Sequence, residues 1–328
     1  MTNPPSPRPD QERLPQAEEL PHTKTAPRRA LVVFNRSSRR AGEMMEAAVE
    51  QLDRHEGIEV TVADCTDRAK LSPLIVERGK DADLVILGGG DGTMNAAARG
   101  LVEAQIPLGI LPLGTANDLA RTMGIPEDVE AATQIIIDGN RRRIDLGEVN
   151  GSLFFNVASI GLSADLASKL TSDMKKRFGK IGYALAAVSV LLRASPFRAT
   201  IESESGRVRA LTLQIAVGNG LFYGGGMAIE RDAKIDDGTL DLYSLEMRRA
   251  WKLALMARAF RFGDHGAWRE VRVDHAQAFH IRTRRRHPIN ADGEIVSHTP
   301  ARFSILPRAI EVFTVPTAPG LTASGDEK

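Results

Sequence analysis

The chain has 328 residues, enough for two modest domains. With 42% hydrophobic residues, 26% charged residues and a net charge of +1, it reads as an ordinary globular chain with no global field to draw nucleic acid. Its single cysteine, Cys65, excludes an internal disulfide, and no cysteine or histidine spacing suits zinc, which fits a reducing cytoplasm.

Residues 1–29 are polar and hold seven of the 17 prolines, with no apolar leader core, so they read as a disordered tail. From Ala30 the texture changes. Ala30–Asn35 is a short apolar run, expected as a buried strand, and Gly42–His55 carries Met45, Ala48, Val49 and Leu52 at helical spacing. Ile58–Ala63 alternates like a strand, Asp67–Lys80 suits a helix, and Asp83–Leu87 reads as a second buried strand. A glycine-rich loop follows, then a helix over Met94–Glu103, a strand over Leu108–Pro112 and a second loop. A helix with Pro126 in its first turn is expected to end near Gly139. Strands alternating with helices predict a doubly wound parallel α/β domain over 30–143, with ligands bound beyond the carboxyl ends of its strands.

Beyond Arg143 short β runs dominate, among them Ala199–Ser203, Arg207–Gly218, Thr239–Leu245, Ala301–Leu306 and Ala309–Val315. Asn150-Gly151 and Asp237-Gly238 are turn signals. Residues 144–316 therefore read as a mostly antiparallel β domain, interrupted by helical stretches at 165–193 and 250–262, and 317–328 as a flexible tail. The fold class expected is α/β plus β. The longest apolar run, Ile181–Leu192, is well short of the roughly 20 residues that span a bilayer, so no integral membrane segment is expected.

The chemistry concentrates in the loop Gly88-Gly89-Gly90-Asp91-Gly92-Thr93. Glycines let a backbone approach a ligand closely, and successive N–H groups at a helix start form an anion site, for which phosphate is the natural guest. No Gly-Lys-Ser/Thr follows, so this is no Walker loop, and Thr93 stands where the dinucleotide fingerprint needs its last glycine. Asp91 is the misfit, because a carboxylate beside phosphate repels it unless a cation such as Mg²⁺ lies between. Alternatively, Asp91 caps the next helix. Leu113-Gly-Thr-Ala-Asn-Asp-Leu119 is a second such loop, in which Thr115 and Asn117 could donate to a nucleotide.

Together these loops resemble the diacylglycerol kinase catalytic-domain family, which includes bacterial diacylglycerol and lipid kinases and sphingosine kinases. Its Gly-Gly-Asp-Gly-Thr-x-Asn is similar to Gly89–Asn95, its Pro-Leu-Gly-Thr-x-Asn-Asp to Pro112–Asp118, its Asp-Gly-x-Leu-Asp to Asp237–Asp241 and its Asp-Gly-Glu to Asp292–Glu294. The resemblance implies an α/β nucleotide domain and a β-sandwich lipid domain with ATP in the cleft between. It implies that Gly89, Gly90, Asp91, Gly92, Thr93, Met94 and Asn95 cradle the phosphates, that Thr115 and Asn117 contact the nucleotide, and that Glu294 accepts a proton beside Asp292. It implies a Mg²⁺ on Asp237, helped by the carbonyls of Lys234 and Thr239. Three segments depart from the family pattern: Asn95-Ala96, Asn35–Gly42, and Ala63-Asp64.

The expected substrate is a lipid, and the expected place is the cytoplasm, with peripheral contact at the inner membrane surface. Leu166, Leu170, Met174, Phe178, Ile181 and Leu185 form an apolar stripe beside a lysine-rich face, which suits either membrane docking or core packing. Arg282–Arg286, with four arginines in five residues, suits either anionic headgroups or a solvated hairpin. An NAD kinase-like enzyme shares the first loop, and a non-catalytic nucleotide or lipid sensor could keep the fold. A Rossmann oxidoreductase is disfavoured by the failed fingerprint. No residue pattern names the lipid or an oligomeric state.

Overall fold

A computed structural model describes residues 28–34, 39–169, 194–220, 222–223, 227–228, 234–247 and 271–316. The stripe beyond Lys169, the expected helix at 250–262, residues 1–27 and residues 317–328 lie outside the described residues, whereas Arg28 and Arg29, expected in the first tail, already pair with Ile58 and Glu59 as strand.

The first half runs β1 (Arg28–Phe34), α1 (Arg39–Asp53), β2 (Ile58–Asp64), α2 (Leu71–Arg78), β3 (Leu84–Gly89), α3 (Asp91–Ala104), β4 (Leu108–Pro112), α4 (Asp118–Thr122) and α5 (Val129–Asp138). Then come β5 (Arg141–Val149), β6 (Ser152–Phe154), β7 (Val157–Gly161), α6 (Leu162–Lys169), β8 (Phe197–Ser203), β9 (Gly206–Thr212) and β10 (Gln214–Gly218). The last are β11 (Phe222–Tyr223), β12 (Met227–Ala228), β13 (Leu240–Leu245), β14 (Val271–Ala276), β15 (Ala278–Thr283), β16 (Pro288–Ala291), β17 (Glu294–His298) and β18 (Ala301–Phe313).

Strands β2-β1-β3-β4 lie parallel in that order. The whole of β3 up to Gly88 is buried, as a central parallel strand covered on both faces must be. On α3 the buried residues Met94, Ala97, Ala98 and Leu101 follow the helical repeat and seat it on the sheet. The helix expected over Asp67–Lys80 arrives in three pieces: a 3₁₀ turn at Arg68–Lys70 capped by Asp67, then α2, then a second 3₁₀ turn at Gly79–Asp81. Pro73 explains the first break, since it has no N–H to give the carbonyl of Ala69. Pro126 lies ahead of α5 rather than inside it. Asp128 is the N-cap, accepting from Ala131 N at 2.9 Å, and Gly139 ends the helix at φ +80°.

The second half is a sandwich. One layer, β14-β13-β10-β7-β16-β17, is antiparallel throughout. The other, β18-β15-β8-β9, continues the parallel sheet through β18, and Ile160, Ile215, Ile281 and Phe303 fill the space between layers. Three expected strands differ in the structure. Arg207–Gly218 is two strands in different layers, split at Leu213, where Thr212 Oγ1 donates to the carbonyls of Gln214 and Leu245. Ala301–Leu306 and Ala309–Val315 are one strand, β18, with an irregularity between Leu306 and Ile310. There Arg308 turns to φ +51° and gives its N–H to Asp145 Oδ1 at 2.6 Å.

β18 ties the halves together. Its start pairs with β15 and its end with β4, while β5 runs alongside, so the 143/144 boundary falls inside β5. Among the described residues, no helix is long and apolar enough to cross a membrane.

Candidate active site

The glycine segment is shorter as a loop than its sequence suggests. Gly88 and Gly89 finish β3, Gly90 is the N-cap, and Asp91-Gly92-Thr93 are already the first turn of α3. Gly90 supplies no side-chain cap, and Thr93 and Met94 give their N–H groups to its carbonyl. That leaves the N–H groups of Asp91 and Gly92 with no intrahelical partner, at the positive end of a helix of 14 residues. Thr93 folds back over Gly89, where a methyl group would lie 2.4 Å from its hydroxyl.

The two glycine segments touch. A methyl group on Gly114 would lie 2.5 Å from the Gly90 Cα, and one on Gly90 would lie 2.9 Å from the Gly114 Cα. Leu113 N donates to Gly89 O at 3.0 Å, so the β3–β4 pairing extends into this contact. Asn117, at φ +51°, is buried and closes its own turn: Oδ1 accepts from Gly114 N at 3.0 Å and Nδ2 donates to Gly114 O at 3.1 Å. Thr115 remains exposed on the outside of that turn. Asp91 does not cap its own helix. Its Oδ1 accepts from Leu119 N at 3.2 Å and so caps α4, locking the second segment to the first.

The Asp292-Gly293-Glu294 turn, between β16 and β17, faces the start of α3. Asp292 sits at φ +46° and Gly293 at φ +96°, a left-handed pair that makes the turn tight. The Asp292 carboxylate points inward and accepts three backbone N–H groups: Phe155 at 2.7 Å, Asn156 at 3.1 Å and Val157 at 3.1 Å. Burial pushes this carboxyl up to about 6, with the Asp91 charge adding to it, against the opposing pull of the three N–H groups. Asp292 therefore holds the turn onto the segment before β7, while Glu294 projects outward and is 53% exposed.

Glu294 Oε1 lies 3.0 Å from Arg68 Nη1. Sequence reading missed Arg68, which belongs to no motif. It sits in the 3₁₀ turn ahead of α2, and its guanidinium covers Gly92, where a methyl group would lie 2.8 Å from Nη1. The turn is held in place by the α2–α3 crossing. Ser72 Oγ donates to Ala96 O and accepts from Gly100 N, and a side chain on Gly100 would meet Ser72 O at 2.6 Å. Asn95 Nδ2 reaches Ala291 O at 3.5 Å, and Arg99 Nη2 donates to Gly151 O at 2.5 Å. Thus Asp91, Asn95, Asp292 and Glu294 come together, whereas Met94 is buried against the core and offers only its backbone.

Lys234, Asp237 and Thr239 occupy a separate loop. Asp237 Oδ1 accepts from Thr239 N at 3.0 Å and Oγ1 at 2.8 Å. Asp236 pairs with Arg142, and Gly238 N donates to the buried Asp145 at 2.7 Å, so the loop is fastened to β5. Among the described residues no three His, Cys, Asp or Glu side chains converge. A cation here would rest on one carboxylate and main-chain carbonyls, an all-oxygen set that fits Mg²⁺ with retained waters. The loop connects to the turn through Asn219, whose amide donates to Asp145 O at 3.0 Å and Phe155 O at 2.8 Å.

The chain is similar to known proteins along most of its length. Residues 29–149 match the family described as the diacylglycerol kinase catalytic domain, and 156–314 the YegS C-terminal NAD kinase beta sandwich-like domain. The chain is 31% identical over 312 residues to a protein of Enterobacter sp. (strain 638) named "Probable lipid kinase YegS-like", covering 90% of this chain and 98% of that one. It is 30% identical to a diacylglycerol kinase of Bacillus subtilis (strain 168), covering 87% and 96%. A crystal structure of a diacylglycerol kinase from Bacillus anthracis str. Sterne superposes with a TM-score of 0.71 at 24% identity, over 89% of this chain and 99% of that one.

Proposed function

Since the chain belongs to the family of bacterial diacylglycerol kinases and YegS-like lipid kinases, we propose that it passes the γ-phosphate of ATP to the hydroxyl of a diacylglycerol-like lipid, with Glu294 as proton acceptor. The observation that carries this reading is the meeting of two segments: the outward carboxylate of Glu294 stands beside the uncapped first turn of α3, within reach of Arg68. An uncapped helix start binds phosphate, and a carboxylate beside it can take the proton of an attacking hydroxyl.

Each residue then has a distinct task. The backbone of Gly89–Asn95 cradles the phosphates, and the Thr115 hydroxyl contacts the nucleotide. Asp91 keeps the two glycine segments in register, and Asn117 closes the turn of the second. Asp292 positions the turn, so that Glu294 alone is free to move a proton. Mg²⁺ bound with ATP would supply the positive charge that lets the Asp91 carboxylate stand beside the phosphates. A second Mg²⁺ on Asp237, with the carbonyls of Lys234 and Thr239, would stiffen the loop against β5. The reaction belongs at the cytoplasmic face of a membrane, where the lipid is.

The purified protein incubated with γ-labelled ATP, Mg²⁺ and dispersed diacylglycerol should yield a labelled lipid. Transfer of label to NAD instead, or to no acceptor in a total lipid extract, would overturn the reading.

A further inference from the structure

The outer face of the β9-β8-β15-β18 layer carries charge of nearly one sign. The strands alternate, with Ala199, Ile201, Ile281 and Phe303 turned inward to the core and their neighbours turned out. The register arranges those neighbours in rows. Leu211 lies opposite Arg198. Arg209 lies opposite Thr200, which lies opposite Arg282. Arg207, Glu202, His280 and Arg302 make the third row, one per strand. Arg284 and Arg286 follow at the end of β15.

Glu202 is the one carboxylate in these rows. It is shared by Arg282, Arg207 at 3.1 Å and His280 at 3.6 Å, and these partners hold it below the usual carboxylate range. Arg198, Arg209 and Arg302 have no ion-pair partner among the described residues. Arg198, Arg209, Arg282 and Arg284 border a groove of 640 Å³. Arg282, Arg286, Arg302 and His298 border another of 650 Å³. Like charges on facing strands destabilise a sheet, and the chain as a whole is nearly neutral, so this surplus is local and uncompensated.

We propose that this face docks the protein on an anionic phospholipid surface. The charges lie in rows across four strands, a spread array that matches a layer of phosphates better than a single small ligand. Guanidinium groups bind phosphate oxygens in pairs. Leu211, 39% exposed at the edge of the face, adds apolar contact. His298, on the rim of the second groove, is the far end of β17, the strand that begins at Glu294. This docking does not depend on which lipid is phosphorylated.

The test is sedimentation with phosphatidylcholine vesicles made with or without phosphatidylglycerol, and free of any acceptor lipid. The wild-type protein should bind only the phosphatidylglycerol vesicles, more weakly as salt is raised. The triple variant Arg198→Ala, Arg209→Ala, Arg302→Ala removes cations that make no internal ion pair. At about fivefold per arginine it should bind about 100-fold more weakly, with unchanged thermal unfolding and unchanged turnover of a detergent-dispersed lipid. Equal vesicle binding by the two proteins would overturn the proposal. So would tight binding to duplex RNA or DNA without vesicle binding.

Discussion

Arg68 and Glu294, 226 residues apart in sequence, form an ion pair of 3.0 Å directly over Gly92 in the first turn of α3. One guanidinium thus joins the proposed phosphate cradle to the proposed proton acceptor. Both side chains are more than half exposed, and exposed pairs contribute about 1 kcal/mol or less. Such a pair is easily exchanged, and in the proposed reaction an entering γ-phosphate would take the guanidinium from the carboxylate.

Arg68→Ala should therefore leave stability within about 1 kcal/mol of wild type. It should raise the KM for ATP about tenfold, the worth of one charge-assisted hydrogen bond. Binding of ADP, which lacks the γ-phosphate, should change far less. Calorimetric titration with both nucleotides separates this from a structural role, which would weaken both alike.

Glu294→Gln should lower kcat by about 10² to 10⁴, the usual contribution of a positioned general base. ATP affinity should be kept or slightly improved, because Arg68 loses its competing carboxylate. Single-turnover kinetics beside an ATP titration checks both halves. Undiminished lipid phosphorylation would remove Glu294 from the mechanism.

Asp292 predicts a pH dependence of stability. Its folded-state pKa of about 6 lies above the ordinary 3.8, so the folded protein holds the proton more tightly than the unfolded chain. The stability this adds is complete below about pH 4 and is lost as pH rises through about 6, amounting to about 3 kcal/mol. Urea unfolding across that range should show the slope in wild type, and Asp292→Asn should flatten it.

Gly114→Ala places a methyl group 2.5 Å from the Gly90 Cα, where backbone meets backbone and neither can move aside cheaply. We expect a loss of about 1–3 kcal/mol in stability, as for other overpacked sites. ATP binding should fall at least tenfold as the cradle opens. Chemical denaturation and nucleotide titration measure the two effects. Gly151→Ala, at a turn with open space around it, is a control for backbone strain alone.

Much of this was legible in the residues. Buried parallel strands announce themselves as apolar runs, and α3 by the spacing of Met94, Ala97, Ala98 and Leu101, because both patterns depend on a residue's near neighbours. Breaks were harder. Pro73 was visible yet did not stop Asp67–Lys80 from looking like one helix, and nothing in Arg207–Gly218 marks Leu213 as the crossing between two layers. Asp91 offered two readings, a cation partner or a cap for its own helix. The cap goes to α4 and not to its own helix, an option that exists only once β3 and β4 lie side by side.

By itself the sequence determined the order of an α/β half and a β half, the two glycine segments and the four motifs that mark the family. These are local, written in residues that lie within a turn or a strand of one another. Tertiary structure alone decided that Asp292 faces inward to three N–H groups while Glu294 faces out, and that Arg68 meets Glu294. It also decided that arginines from four strands share one face. Each of these depends on β18 returning across the sandwich to pair with β4 and β5, and so on strand register between segments far apart in the chain, which no local pattern encodes.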